Sequence, residues 1–218
     1  MSVAEGGQDE AADVASSAGL LLWAPGTPGP EFAAELAGAL ATGTVAALIA
    51  STVAAGTDWR PARRACHEAG VAFLVVDDLD LARSPAADGI HLLEAARVPG
   101  ARGLLGADAL IGAACGRSRH EAMVAGEDGA DYVTFAGDAE DVAELCAWWA
   151  ELFTLPCAAD LRGTDGAGLP EMALAGADLV VVDDTAVWSA PSGAAAACRE
   201  LGARLDEARR GRGADPEA

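Results

Sequence analysis

The chain has 218 residues, of which 52% are hydrophobic and 22% are charged, so it fits one domain with a substantial core. Its 34 acidic residues face 14 basic ones, all of them arginine, and the formal charge of −20 at pH 7 argues against nucleic acid as a partner. No apolar run reaches the roughly 18–20 residues of a membrane span, and the acidic N-terminus lacks the basic start of a signal peptide. We therefore expect a cytoplasmic protein without a membrane partner.

Eight short apolar runs predict parallel strands that are covered on both faces. In chain order they are 19–24, 44–50, 71–77, 88–92, 109–114, 131–136, 155–160 and 178–183. Helical patterns lie between them at 31–41, 59–69, 98–105, 118–128, 139–153, 169–175 and 192–209. Residues 1–17 are predicted to be a disordered acidic tail and residues 210–218 a flexible C-terminal tail.

The alternation of strands and helices predicts an α/β fold, a compact (β/α)8 TIM barrel over residues 18–209. A weak internal repeat supports this prediction, because residues 69–78 are similar to residues 175–184. An open doubly wound sheet fits less well, since no Gly-x-Gly-x-x-Gly follows the first strand. A barrel places its site at the carboxyl ends of its strands, so the residues there are the functional candidates.

The predicted rim is rich in carboxylates. Four acids could hold a hard cation such as Mg²⁺, although helix caps and turns use the same residue types. The metal candidates are Asp77, Asp78, Asp183 and Asp184. The candidates for ligand binding are Arg117, Arg162, Asp160 and Glu94.

Two histidines are candidates for general acid–base catalysis. His91 lies within a predicted strand, where the alternation points it into the barrel mouth if Ile90 points outward. A hydrogen-bonded structural histidine would show the same pattern. His120 lies near the start of a predicted helix, where a position on the protein surface is the alternative.

Residues 76–82 and 87–92 resemble two consecutive motifs of the thiamine phosphate synthase family, which includes the related thiazole tautomerases. Further similar segments follow in the family's order, at 119–137, 155–159 and 175–181, so the resemblance extends over about residues 19–208. It implies the same (β/α)8 barrel. It also implies a transferase of thiamine biosynthesis, which joins an aminopyrimidine pyrophosphate to a thiazole phosphate with Mg²⁺ and releases pyrophosphate.

The chain departs from the family's pattern at the functional end of the barrel. The Q-x-R-x-K motif of strand 2, which neutralises the leaving pyrophosphate in the family, falls on Ile49, Ser51 and Val53. Of the two expected Mg²⁺ ligands, Asp78 matches the first, and the second falls on Ala96 or its neighbour Ala95. We therefore expect synthase activity to be weak or lost.

Residues 116–120 match the Gly-Arg-Ser-x-His phrase that carries the histidine of the thiazole tautomerases. By this resemblance His120, with His91 and the metal ligand Asp78, would carry any remaining activity. Carboxylates also replace the family's phosphate loops, at Asp160 and at the Asp183–Asp184 pair, and like charges near a surface repel a phosphate.

Two other functions stay open. One is a pseudoenzyme, a barrel without chemistry that binds a thiazole- or pyrimidine-type molecule or a regulatory partner. The other is a metal-assisted hydrolase or lyase that uses the four aspartates of the rim. The resemblance is also compatible with a homo-oligomer.

Overall fold

Residues 19–26, 28–51, 57–83 and 87–213 are described by the computed structural model, and they form a closed barrel of eight parallel strands. The strands are β1 (Leu20–Trp23), β2 (Val45–Ala50), β3 (Ala72–Val76), β4 (Gly89–Leu92), β5 (Leu110–Gly116), β6 (Tyr132–Phe135), β7 (Cys157–Asp160) and β8 (Leu179–Val182). Each strand pairs with the next, and β8 pairs with β1. The predicted (β/α)8 TIM barrel is confirmed, and each predicted strand overlaps an observed one.

Helices connect the strands on the outside of the barrel. In the described ranges they are α1 (Phe32–Leu40), α2 (Arg60–Ala69), α3 (Leu79–Ala82), α4 (Val98–Leu105), α5 (Arg119–Glu127), α6 (Ala139–Leu152), α7 (Leu169–Ala175) and α8 (Ala194–Gly213), with a 3₁₀ turn at Ala95–Arg97 and a π turn at Asp184–Trp188. The short α3 and the two turns were not predicted, because none is long enough to show helical periodicity in the sequence.

The two ends of the chain compare differently with the prediction. Helix α8 continues four residues past the predicted barrel end at 209, so residues 210–213 are helical rather than part of a flexible tail. The predicted tail at 1–17 and the last residues, 214–218, lie outside the described residues. None of the helices in the described part of the chain is long and apolar enough to cross a bilayer.

Side chains on each strand alternate between the barrel interior and the layer of helices, because a strand is pleated. On β3, for example, Leu74 and Val76 belong to the inner apolar cluster, while Phe73 and Val75 belong to the larger cluster shared with the helices. The inner cluster also includes Tyr132 of β6. Both faces of the strands are buried, which is why the strands appear in the sequence as continuous apolar runs.

An aspartate just before each of β4, β6 and β8 fixes the register with the preceding strand. Each aspartate makes two hydrogen bonds with one residue of the preceding strand: its carboxylate accepts the backbone N–H of that residue, and its own backbone N–H donates to the carbonyl of the same residue. The aspartates are Asp88, Asp131 and Asp178. The partners are Phe73, Ile111 and Cys157, with N···Oδ2 distances of 2.7, 2.7 and 3.0 Å. A slip by one residue would break both bonds of a pair, so these aspartates specify the register at the amino end of the barrel.

Candidate functional site

A cavity of about 590 Å³ opens at the carboxyl ends of β4 to β7. Its walls include small residues of β5 and of the segment after β6, among them Ala114, Gly116 and Ala136, and Thr134 of β6 also lines it. Small-molecule sites in proteins have volumes of roughly 300–1,000 Å³. The cavity therefore has the size and the place in the barrel of a ligand site.

Arg162 lies at this cavity, in the loop that follows β7, and its charge is neutralised there. Its Nε and Nη2 donate to the carboxylate of Asp160 at 2.7–3.0 Å, and the Asp160 side chain is only 11% exposed. The guanidinium carbon is 3.8 Å from the ring centroid of Trp23 on β1, a cation–π contact. A bidentate ion pair of this kind is strong and directional, so Arg162 is held between a carboxylate and an indole ring.

The other arginines near the mouth are also ion-paired. Arg117, at the end of β5, also lines the cavity, and its Nη2 is 2.6 Å from Oδ2 of Asp141 on α6. Nη1 of Arg97, in the 3₁₀ turn after β4, is 2.7 Å from Oδ1 of Asp77. Among the described residues, both arginines that line the cavity thus have a carboxylate partner.

His91 of β4 lies inside the barrel and is 1% exposed. Its Nδ1 is 2.9 Å from the hydroxyl oxygen of Tyr132, and its ring meets Trp23 edge-on with the centroids 5.7 Å apart. Burial, with a smaller effect of the positive charge of Arg162, lowers the pKa of His91 from 6.5 to about 4, against the opposing effect of Asp160. Burial also raises the pKa of the Tyr132 phenol. The imidazole is therefore neutral at pH 7 and is fixed by a neutral hydrogen bond.

The two candidate catalytic histidines are not brought together. In the β-ladder His91 lies beside Gly112, which comes two residues before the cavity residue Ala114 on β5. His91 itself is not among the residues that line the cavity. His120 is exposed at the start of α5, a helix that Ser118 caps by accepting the N–H of Glu121 at 3.1 Å. The ligand candidate Glu94 is likewise exposed, at the start of the 3₁₀ turn.

Asp77 and Asp78, after β3, both make local hydrogen bonds. Asp77 adopts a left-handed backbone with φ of 54°, and its Oδ1 accepts the N–H of Leu93 at 3.1 Å as well as pairing with Arg97. Asp78 caps α3 by accepting the N–H of Leu81 at 2.9 Å. These contacts tie the end of β3 to the end of β4, which is the turn-and-cap role that the sequence left open.

Asp183 and Asp184, after β8, are used in the same way. Asp183 accepts the N–H groups of Gly163 and Thr185 at 3.0 and 3.3 Å, and Asp184 accepts the hydroxyl of Ser189 at 2.8 Å. In the described ranges, no three His, Cys, Asp or Glu side chains lie close enough together to hold a metal ion. The four aspartates of the rim therefore do not form the shared cluster on which a metal-assisted hydrolase or lyase would depend.

The chain retains one of the two carboxylate positions that the family resemblance implies for Mg²⁺. Asp78 has a carboxylate oxygen occupied as a helix cap, and its matching partner position, Ala96 or Ala95, has no oxygen in its side chain. Mg²⁺ is usually held by one or two carboxylates together with water and substrate phosphates. Asp78 is therefore the residue that would hold Mg²⁺ together with the substrate phosphates, and no second protein carboxylate is present at Ala95 or Ala96.

Sequence reasoning missed three residues of this region: Trp23, Tyr132 and Thr134. The alternation along β6 would have placed Tyr132 and Thr134 on the same inward face, since they are two positions apart. Thr134 is 2% exposed, and its hydroxyl oxygen has no hydrogen-bond partner among the described residues.

A closed (β/α)8 barrel with a small-molecule cavity at its carboxyl end places the chain among the TIM-barrel proteins. The family model described as thiamine monophosphate synthase matches residues 50–185, and the chain belongs to that family. The resemblance found in the sequence is thus confirmed, and the family is one of thiamine biosynthesis.

Relatives and solved structures agree with this assignment. A thiamine-phosphate synthase of Rhodospirillum centenum is 41% identical over 141 residues, which cover 60% of this chain and 67% of that protein. Another from Hyphomonas neptunium is 42% identical over 150 residues, covering 64% and 67% respectively. The structure of a thiamine phosphate pyrophosphorylase from Pyrococcus furiosus has a TM-score of 0.72 at 21% identity, over 89% of this chain and 98% of that one, and shows the shared fold.

Proposed function

We propose that the protein acts in thiamine biosynthesis, in the cytoplasm, as a divergent thiamine phosphate synthase with weak or no synthase turnover. In this proposal the mouth cavity binds a thiazole- or pyrimidine-type molecule. Family membership and the relatives named thiamine-phosphate synthase support the pathway. The ion pairing of both cavity arginines, Arg162 with Asp160 and Arg117 with Asp141, supports the loss of turnover.

The family reaction depends on neutralising pyrophosphate as it leaves the pyrimidine. Ile49 and Ser51 provide no positive charge at the positions of the family's basic motif, and Val53, the third position, lies outside the described residues. Near Arg162 the Asp160 carboxylate would repel the same pyrophosphate, since like charges a few ångströms apart oppose each other by about 1–4 kcal/mol in or near water. Binding of an uncharged ring needs no such cation.

The direct test is a synthase assay on the purified full-length protein. It combines aminopyrimidine pyrophosphate, thiazole phosphate and Mg²⁺, and thiamine phosphate is detected by chromatography. We expect product to form at or close to the rate without protein. Steady turnover well above that rate would contradict the proposed loss of activity, and it would mean that the ion pairs at the mouth open to receive pyrophosphate.

Removing the negative charge of Asp160 should create an anion site. We expect Asp160→Asn to raise the affinity for inorganic pyrophosphate by about 10-fold or more, measured by isothermal titration calorimetry. The amide oxygen of asparagine can still accept the backbone N–H of Arg162, which Asp160 accepts at 3.0 Å, while the guanidinium loses its neutralising partner.

Asp184→Asn is the matched control for this prediction. It removes the same charge from an exposed aspartate whose carboxylate accepts a hydroxyl of Ser189 and has no arginine bound to it. An equal gain in pyrophosphate affinity in both variants would mean that the lower net negative charge of the protein explains the gain. No gain in Asp160→Asn would contradict the conclusion that Asp160 keeps Arg162 from binding anions.

A further inference from the structure

A second cavity, of about 420 Å³, opens at the amino end of the barrel, opposite the mouth. Residues near the starts of β1, β2, β3, β5, β6 and β8 line it, together with residues 154–156 before β7. Most of its lining is apolar, and it includes the side chains of Leu21, Leu74, Leu110 and Leu179. No described residue lines both this amino-end cavity and the mouth cavity, so the two are separate.

Small side chains on two neighbouring strands leave this space open. The interior of a TIM barrel is usually filled by branched residues such as valine, isoleucine and leucine. In this barrel Ala47 of β2 and Ala72 of β3 lie beside each other in the ladder, and both line the cavity. An unfilled apolar cavity destabilises a fold, because the atoms of its wall lack contacts on one side. A molecule that filled the space would restore those contacts.

The charges at the amino-end cavity select against anions. Asp131 and Asp178 line it, and no arginine or histidine is among its lining residues in the described part of the chain. A ligand with a carboxylate or a phosphate would meet like charge there. A peptide segment would bring backbone N–H and C=O groups against leucine and alanine side chains, which offer them no hydrogen bonds. An uncharged small molecule avoids both costs.

We propose that the amino-end cavity is a second small-molecule site, which takes an uncharged, largely apolar molecule of one or two rings. An apolar cavity of about 150 Å³ can hold benzene. A cavity of about 420 Å³ therefore has room for two fused rings. The ring of Tyr132 gives it an aromatic wall, which the hydrogen bond to His91 holds in place. The inference does not rest on the proposed function, because it uses none of the residues of the mouth.

The first test compares 2-naphthol, which is uncharged at pH 7, with 2-naphthoate, which has the same two rings and a negative charge. Equilibrium dialysis against the full-length wild-type protein measures how much of each probe is bound. We expect 2-naphthol to bind with a dissociation constant of about 1 mM or lower. The affinity for 2-naphthoate should be lower by about 10-fold or more, because of the two carboxylates at the cavity.

Variants that fill one cavity or the other locate the bound probe. Ala47→Val and Ala72→Leu enlarge side chains of the amino-end cavity, and each should weaken 2-naphthol binding by about 10-fold or more. Each should also raise the midpoint of thermal unfolding by about 2–4 °C, because it occupies empty space. Ala136→Leu is the matched control, since it enlarges a side chain that lines the mouth cavity instead. It should leave 2-naphthol binding within about 2-fold of the wild type.

Four results would overturn the proposal. One is that the wild type does not bind 2-naphthol. Another is that it binds 2-naphthoate equally well, which would contradict the selection by charge. The third is that Ala136→Leu loses binding while Ala47→Val and Ala72→Leu keep it, which would place the probe in the mouth. The fourth is that both amino-end variants unfold at a lower temperature than the wild type, because the cavity would then have no room for a larger side chain.

Discussion

Replacing Gly112 by alanine is expected to lower the free energy of unfolding by about 2–5 kcal/mol. A Cβ atom at this position of β5 would lie 2.1 Å from Cζ and 2.3 Å from the hydroxyl oxygen of Tyr132. The Tyr132 ring is buried in the inner cluster and bonded to His91, so it can move away only by giving up that hydrogen bond. Urea unfolding of Gly112→Ala against the wild type measures the loss.

A control and a partner variant identify the cause of that loss. Gly103→Ala on α4 adds the same methyl group where nothing lies within 4 Å, and it should keep or raise stability because alanine favours a helix. In a Tyr132→Leu background, Gly112→Ala should cost much less, since the atoms in its way are gone. A cost of the same size in both backgrounds would contradict the steric explanation.

The unfolding free energy is expected to rise with pH between about pH 4 and 6.5 by up to about 3 kcal/mol through His91 alone. Burial lowers the pKa of His91 to about 4 in the folded protein, against 6.5 for a histidine in the unfolded chain. Within this window the unfolded chain binds a proton that the folded chain does not, so falling pH favours unfolding. Above pH 6.5 both forms are neutral, and the full contribution is present.

Urea unfolding measured at several pH values in the wild type and in His91→Gln tests this expectation. The variant should lose most of the histidine-dependent slope between pH 4 and 6.5, because glutamine does not titrate. His67→Gln, at an exposed histidine of α2, is the control for removing a histidine as such. If His91→Gln kept the wild-type slope, another group would have to bind the proton.

Much of the scaffold could be predicted from the sequence because each strand is an apolar run whose two faces are both covered. A glycine such as Gly70 or Gly176, in the left-handed conformation, ends the preceding helix and makes the boundary visible. Helix α3 escaped prediction because it is a single turn, whose start depends on the cap that Asp78 provides. Local signals thus suffice where an element is long enough to repeat its pattern.

The candidate site could be predicted only in part. Barrel geometry placed Asp160 and Arg162 at the mouth, since Asp160 ends a predicted strand and Arg162 follows it. That Asp141 neutralises Arg117 depends on where the start of α6 lies relative to the end of β5 in the fold, and no spacing along the chain reveals it. That the buried hydroxyl of Thr134 has no hydrogen-bond partner among the described residues depends on the alanines beside it in two neighbouring strands, so it can be seen only once the register is known.

The three aspartates at the amino end of the barrel have a consequence for its mechanics. Their paired bonds join β3 to β4, β5 to β6 and β7 to β8, whereas in the described part of the chain no such aspartate joins one of these pairs to the next. At this end of the barrel the strands are therefore joined in pairs by side-chain bonds in addition to the backbone ladder. The mouth cavity, at the opposite end, extends across the two boundaries between these pairs, β4/β5 and β6/β7, where the described residues include no aspartate of this kind.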